Sequence, residues 1–304
     1  MKYTKYILNR YVSIIVILLT IIYGGVSLFL ANGVTKADRE PLEHTPEEYN
    51  LEYEDVTFQD SQDELTLRGW HIQANQESPT IIFVHGLGNN RTGDEALDLA
   101  SRLAHKGYNS LLFDLRGHGT SDDGTISGGF FEQNDLMGAF DFLTGLGIPK
   151  SNIAVIGFSM GAATAILALS KEPRITALVV DSTYSDISDL ITQEVSRKTV
   201  LPDWLVPVFI PGTKLAADLI YQIKIGELVP RDAVIKIGYP ILVIHGQSDD
   251  RIPVRHGIQV HQSAHPDSKL WLVPEVLHME SFLTYPDEYT IEVVNYLDQR
   301  FDSQ

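Results

Sequence analysis

Ile153-Ala154-Val155-Ile156-Gly157-Phe158-Ser159-Met160-Gly161-Ala162-Ala163-Thr164 is a short β-branched run that ends in Gly-Phe-Ser-Met-Gly and passes directly into an alanine-rich stretch. It reads as strand, sharp turn and helix, with Ser159 at the corner. A hydroxyl at such a corner is presented to solvent on a strained backbone. Gly157 and Gly161, two residues to either side, remove the Cβ atoms that would collide with the neighbouring strand and helix. The helix that starts here points its unpaired N–H groups at the turn, a setting suited to negative charge developing on a carbonyl oxygen. Ser159 is therefore the candidate nucleophile and the Met160 amide a candidate oxyanion donor.

Outward from this turn, apolar runs alternate with segments of helix length. Strands are predicted over residues 80–85, 110–114, 153–157, 177–181, 241–245 and 270–273, with amphipathic helices over 95–106 and 134–143. Continuous Val/Ile/Leu strands separated by helices predict a mostly parallel sheet covered on both faces. Val56-Thr57-Phe58 and Leu65-Thr66-Leu67-Arg68-Gly69-Trp70-His71-Ile72 alternate in the manner of an antiparallel entry hairpin. From 183 to 238 the rhythm breaks: no strand is expected, four prolines occur, and the segment reads as a small helical cap insertion.

The chain has 304 residues, a formal charge of −17 and no cysteine. That charge, with no Lys/Arg cluster in the body, argues against a nucleic-acid partner. Without cysteine, thiolate metal sites and Cys nucleophiles are excluded, and Ser, Thr, Lys, His and carboxylates remain for catalysis. No His/Asp/Glu grouping has metal-ligand spacing and no phosphate-binding glycine loop follows a strand, so neither metal nor cofactor is expected.

Lys2, Lys5 and Arg10 precede an uncharged apolar run over residues 11–31, long enough to cross a bilayer. Residues 1–33 are expected to be a transmembrane anchor. The rival is a cleaved signal peptide, with Thr35-Lys36-Ala37 as its best cleavage site, but apolar regions of such peptides run only about 7–15 residues. Residues 38–64 hold eleven Asp or Glu and one Arg, so the positive-inside rule places the body on the extracytoplasmic side, although Lys36 and Arg39 run counter to it. Residues 34–53 are expected to form a solvated acidic stalk, and 54–304 the catalytic domain.

A serine nucleophile needs a base, and the base an orienting carboxylate. Ile241-Leu242-Val243-Ile244-His245-Gly246-Gln247-Ser248-Asp249 is a buried strand leading into a loop, which puts Asp249 past the strand's carboxyl end, where sites of open α/β sheets form. Asp249 is the candidate acid, with Asp250 and Asp181 as alternatives. His278, in the loop after the last strand, is the candidate base. His85, His118 and His245 each precede glycine and are read as structural. Asp114, Arg116 and Asp122 are expected to brace the turn beneath the site. The first buried strand ends in His85-Gly86-Leu87-Gly88, where glycine lets backbone approach a bound carbonyl, and Leu87 N–H is the second candidate oxyanion donor.

These segments, with Phe113-Asp114-Leu115-Arg116-Gly117-His118-Gly119-Thr120-Ser121, resemble the successive signatures of the α/β-hydrolase superfamily, from about residue 54 to the end. Gly129-Phe130-Phe131-Glu132-Gln133-Asn134-Asp135 and Val180-Asp181-Ser182 are similar to membrane-anchored bacterial hydrolases related to the Bem46 and serine-aminopeptidase-like groups. The order Ser159, Asp249, His278 is the one associated with that fold. The resemblance implies these triad and oxyanion assignments and fixes no substrate; the reading is a serine hydrolase acting on a small-molecule ester, thioester or amide, with ester cleavage favoured because no carboxylate is shown to face the site for a substrate ammonium. An aminopeptidase would need a carboxylate to hold the substrate ammonium, for which Glu132 and Asp186 are the candidates. A non-catalytic binding protein of the same fold is the competing class, and oligomeric state is not legible.

Overall fold

The computed structural model describes residues 2–302 apart from Gln76, Pro173, Arg174, Thr176, Val200 and Asp203, with the side chains of residues 2–8 and of Lys198 also excluded. Lys2 and Lys5, on which the orientation of the anchor rests, are thus described by backbone alone. The chain divides into two compact units, Met1–Lys36 with Ser188–Ile225, and Ala37–Ile187 with Gly226–Gln304.

In the larger unit, period-two alternation within each buried strand builds two separate cores. Residues 82, 84, 111, 113, 153, 155, 178, 180 and 243 lie on one side of the sheet. Their neighbours 81, 83, 112, 154, 156, 177, 179, 242 and 244 lie on the other. The strands are β1 (Tyr53–Gln59), β2 (Thr66–Ile72), β3 (Thr80–Val84), β4 (Asn109–Phe113), β5 (Ile153–Phe158), β6 (Ala177–Asp181), β7 (Leu242–Gly246) and β8 (Lys269–Val273). They form one sheet in the order β1-β2-β4-β3-β5-β6-β7-β8. β1, β2 and β4 pair antiparallel, and from β4 through β8 every pair is parallel. Helices α3 (Glu132–Gly145), α4 (Met160–Leu169) and α8 (Arg255–Ser263) supply apolar residues to the first core. Helices α2 (Ala96–Ala104) and α10 (Pro286–Asp302) supply the second. Two short helices, α7 (Pro230–Ala233) and α9 (Ser281–Thr284), complete the unit.

In the smaller unit a long helix, α1 (Lys2–Val34), packs with α5 (Ile191–Lys198) and α6 (Val206–Tyr221), which belong to the insertion between β6 and β7. Leu30, Val195 and Val206 form its buried centre.

The stretch expected as a solvated stalk instead docks on the larger unit. Arg39 donates from Nη1 to the carbonyls of His118 and Gly119 at 3.0 and 2.7 Å and pairs with Asp123 at 2.6 Å. Asn90 Nδ2 donates to the carbonyls of Glu40 and Pro41. Leu42, Tyr49, Leu51 and Tyr53 pack against the second core. Charge density alone pointed to solvent, whereas the apolar residues spaced among the carboxylates supply the attachment.

The turns below the sheet's carboxyl edge are braced by charged side chains, some of them buried. Asp114 accepts from the Arg91 and Thr120 amides at 2.9 and 2.8 Å, and Asp122 accepts from the Thr66 amide and Arg68. Buried Arg116 donates to Asp135 at 2.7–3.1 Å and to Asp60 and Asp63 at 3.2 and 2.8 Å. Removing one partner of a buried pair leaves a charge only partly compensated, a loss of about 3–5 kcal/mol. Asp135→Ala should therefore lower unfolding stability by about 3 kcal/mol, the low end because Asp60 remains; an unchanged urea midpoint would show that Arg116 does not depend on Asp135.

Candidate active site

The turn at Ser159 is held by contacts that only glycine allows. A Cβ on Gly157 would lie 2.6 Å from Ala162 Cα, and one on Gly161 would lie 2.1 Å from the Val84 carbonyl oxygen. Between them Ser159 adopts φ 50° and ψ −114°, outside the regions a side chain favours, at a cost of about 1–3 kcal/mol. Its amide donates to the Asp181 carbonyl at 2.9 Å and its own carbonyl accepts from Ala163. The corner is thereby tied to β6 and to the first turn of α4.

Three side chains meet here. His278 Nε2 lies 3.0 Å from Ser159 Oγ, and His278 Nδ1 lies 2.8 Å from Asp249 Oδ2. Asp249 is held from behind: its Oδ1 accepts from the Arg251 and Ile252 amides at 2.9 and 2.7 Å. Burial works against this carboxylate, but hydrogen bonds from His245, His278 and the Ile252 amide more than offset it and hold its pKa well below the usual carboxylate range. An ionised Asp249 keeps a proton on His278 Nδ1 and leaves Nε2 as the acceptor facing the serine.

The alternatives fall elsewhere. The imidazole bonds Asp249 rather than Asp250 or Asp181. Asp181 is buried at the end of β6 and accepts from Ser182 Oγ at 2.9 Å. His245 Nε2 lies 2.8 Å from the Ile252 carbonyl and 3.4 Å from Asp249, so it supports the acid loop. His85 donates from Nδ1 to the Gly86 carbonyl and accepts the Leu115 amide on Nε2; burial pushes its pKa down to about 3. His118 donates from Nδ1 to the Arg116 carbonyl and accepts the Gly88 amide on Nε2 at 3.1 Å.

These contacts shape the loop that carries Leu87. Gly86 N–H donates to Asp94 Oδ2 at 2.7 Å, and Asn89 Nδ2 donates to Asp94 Oδ1 at 2.8 Å. A Cβ on Gly86 would stand 3.3 Å from Ser159 Cβ, which brings this loop against the nucleophile. With Gly86 and Gly88 committed on either side, the Leu87 amide has no acceptor among the hydrogen bonds of the described residues. Met160 is the first residue of α4, where an amide has no helical acceptor.

Asp94 and Gly246 are site residues that the sequence reading missed. Nothing in the polar run from Asn89 to Glu95 separates Asp94 from a solvated loop acid, yet it is half-buried, and desolvation pushes its pKa up against the hydrogen bonds from Gly86 and Asn89. A Cβ on Gly246 would stand 2.5 Å from the Val276 carbonyl. Glycine there lets the acid loop lie on the base loop, joined by Ser248 N–H to Val276 O and Gln247 N–H to Val273 O. The carboxylates considered for an ammonium are both engaged. Glu132 accepts from Ser127 N–H, Ser127 Oγ and Gly129 N–H, and Asp186 pairs with Arg231 at 3.1 Å.

Comparisons with known proteins agree with this architecture. A family model described as alpha/beta hydrolase fold matches residues 79–206. Protein bem46 of Schizosaccharomyces pombe is 27% identical over 218 residues, covering 69% of this chain and 64% of that protein. The lysophosphatidylserine lipase ABHD12 of Xenopus tropicalis is 25% identical over 221 residues, covering 67% of this chain and 53% of the lipase. The esterase Pf2001 of Pyrococcus furiosus superposes with a TM-score of 0.70 at 25% identity, over 87% of this chain and 99% of the esterase. The chain has the α/β-hydrolase fold and is similar to the Bem46 protein.

Burial pushes the Asp181 carboxyl up to about 6, against about 3.9 in an unfolded chain. The folded state thus holds this proton more tightly, and stability from the group is lost as pH rises from about 4 to about 6. Asp181→Asn keeps the acceptor for Ser182 and removes the titration. Relative to the parent, the variant should gain about 2–3 kcal/mol between pH 4 and 7 in urea denaturation; parallel stability profiles would contradict the assignment.

Proposed function

We propose that the protein is a serine hydrolase that cleaves carboxylic esters through an acyl-enzyme. The observation that carries this reading is the unbroken line from Ser159 Oγ through His278 to Asp249, at 3.0 and 2.8 Å. Ser159 Oγ attacks the ester carbonyl while His278 Nε2 takes its proton, and Asp249 stabilises the imidazolium. The carbonyl oxygen, now anionic, is received by the Leu87 and Met160 amides, each worth about 2.7–4 kcal/mol by analogy with a single oxyanion donor. Collapse of the tetrahedral species breaks the bond to the alkoxy oxygen, which takes the proton from His278. Water, deprotonated by the same imidazole, then attacks the acyl-serine and releases the acid and free Ser159.

Preference for an ester over an aminoacyl amide is supported by the state of Glu132 and Asp186, both consumed by internal partners, and by the esterase and lipase among the relatives. We further read α1 as an uncleaved membrane anchor with the catalytic unit on the extracytoplasmic side. Its residues 9–34 form an apolar helix long enough to cross a bilayer; Lys2, Lys5 and Arg10 stand before or at its start, and the acidic residues that outnumber Lys36 and Arg39 follow it.

Ser159→Ala should reduce hydrolysis of p-nitrophenyl butyrate by at least about 10⁴-fold, and Asp249→Asn by about 10⁴-fold. Asp250→Asn should leave kcat/KM near the parent value. Persistent turnover in Ser159→Ala, or equal losses in the two aspartate variants, would exclude this assignment.

A further inference from the structure

In the smaller unit, α6 is apolar over most of its surface, with Lys214 and Asp218 its only charges, and its apolar surface is wider than one packed face needs. One side faces α1. The rings of Tyr23 and Phe209 stack at 5.3 Å, and Gly212 N–H donates to Tyr23 Oη at 3.1 Å. A Cβ on Gly212 would meet Ser27 Oγ at 2.2 Å, and Tyr221 Oη donates to Asn32 Oδ1 at 3.2 Å. Beside that contact, Val208, Leu215 and Leu219 form an exposed stripe that continues from Trp204 in the turn before the helix, with Trp204 and Leu219 76% and 70% exposed.

Bilayer thickness decides what covers that stripe. The uncharged run of α1 and its exit extends over residues 11–35, and crossing about 30 Å of hydrocarbon takes about 20 residues of helix. Every window of that length within the run contains residues 16–30. Residues 11–22, exposed all round, would by themselves reach only about 18 Å. Tyr23, Ser27 and Leu30 therefore lie at membrane depth wherever the window is set, and the residues packed on Tyr23 and Ser27, namely Phe209 and Gly212, lie there too. Contacts progress from Tyr23 with Phe209 to Asn32 with Tyr221, so α6 runs parallel to α1 with its amino-terminal end deepest. The charges fit that placement. Lys214 and Asp218 lie in the half of α6 nearer the surface, from which the long Lys214 side chain can reach the headgroup region. On α5, Glu194 pairs with Arg197 at 3.6 Å, and Val195 packs beside Leu30.

We propose that α6 enters the bilayer beside α1, with Trp204, Val208, Leu215 and Leu219 against the acyl chains of the leaflet through which α1 leaves the membrane. This rests on the reading of α1 as a membrane anchor. The insertion between β6 and β7 is then a second point of membrane attachment.

The absence of cysteine makes the test direct. Single variants Val208→Cys, Leu215→Cys and Leu219→Cys of the full chain, spin-labelled in phosphatidylcholine/phosphatidylglycerol vesicles, are compared for collision with oxygen, which partitions into lipid, and with a water-soluble nickel chelate. Ile17→Cys reports the anchor and Ser151→Cys the aqueous body. The three α6 sites should match Ile17→Cys, with high oxygen and low chelate collision. If they match Ser151→Cys while Ile17→Cys is lipid-exposed, α6 lies in water and the inference fails with the anchor intact. Low collision with both reagents would mean a protein cover such as a second copy, and also overturns it. A water-exposed Ile17→Cys would remove the anchor and the inference together.

Discussion

The backbone of Ser159 is held where a side-chain-bearing residue does not rest, and the holding is done by close backbone approaches at Gly157 and Gly161. Those approaches pin β5 to the first turn of α4 and α4 to the end of β3 in one place. The same contact that strains the serine fixes the start of the Leu87 loop, since Gly161 abuts the Val84 and His85 carbonyls. Ser159 and the Leu87 loop therefore cannot shift independently. The local cost of about 1–3 kcal/mol is offset by the two cores of the sheet, which need no particular conformation at residue 159.

Around this corner, histidines hold loops by hydrogen bonds while one of them faces the serine. His85, His118 and His245 each have a ring nitrogen within hydrogen-bond distance of a backbone carbonyl. Burial keeps His85 and His118 neutral. His278 differs in position: it sits on a loop laid over the acid loop through Gly246, with one nitrogen toward a carboxylate and the other toward a hydroxyl. The division of labour comes from neighbours, not from residue type.

Much of this was legible in the chain because it is local. The eight strands announce themselves by short apolar runs, and the strand-turn-helix around Ser159 by its flanking glycines. Asp249 and His278 could be named because each follows a strand end on the same edge. What escaped is what distant segments decide. Asp94 is a loop acid until the Gly86 amide arrives, and Gly246 is an ordinary turn glycine until Val276 lies on it. The acidic stretch after α1 reads as solvated by charge, and docks through Arg39, Leu42 and Tyr49. The insertion was expected as helices, but its pairing with α1 depends on Tyr23 meeting Phe209 and Gly212, nearly 190 residues away.

The account turns on whether the hydroxyl, the imidazole and the two amides act on one reacting centre. The most direct measurement is a crystal structure of the protein after reaction with an alkyl fluorophosphonate. Phosphorus should be bonded to Ser159 Oγ, with its phosphonyl oxygen within hydrogen-bond distance of both the Leu87 and Met160 amides. An adduct on another residue, or one at Ser159 whose oxygen points away from those amides, would contradict the account.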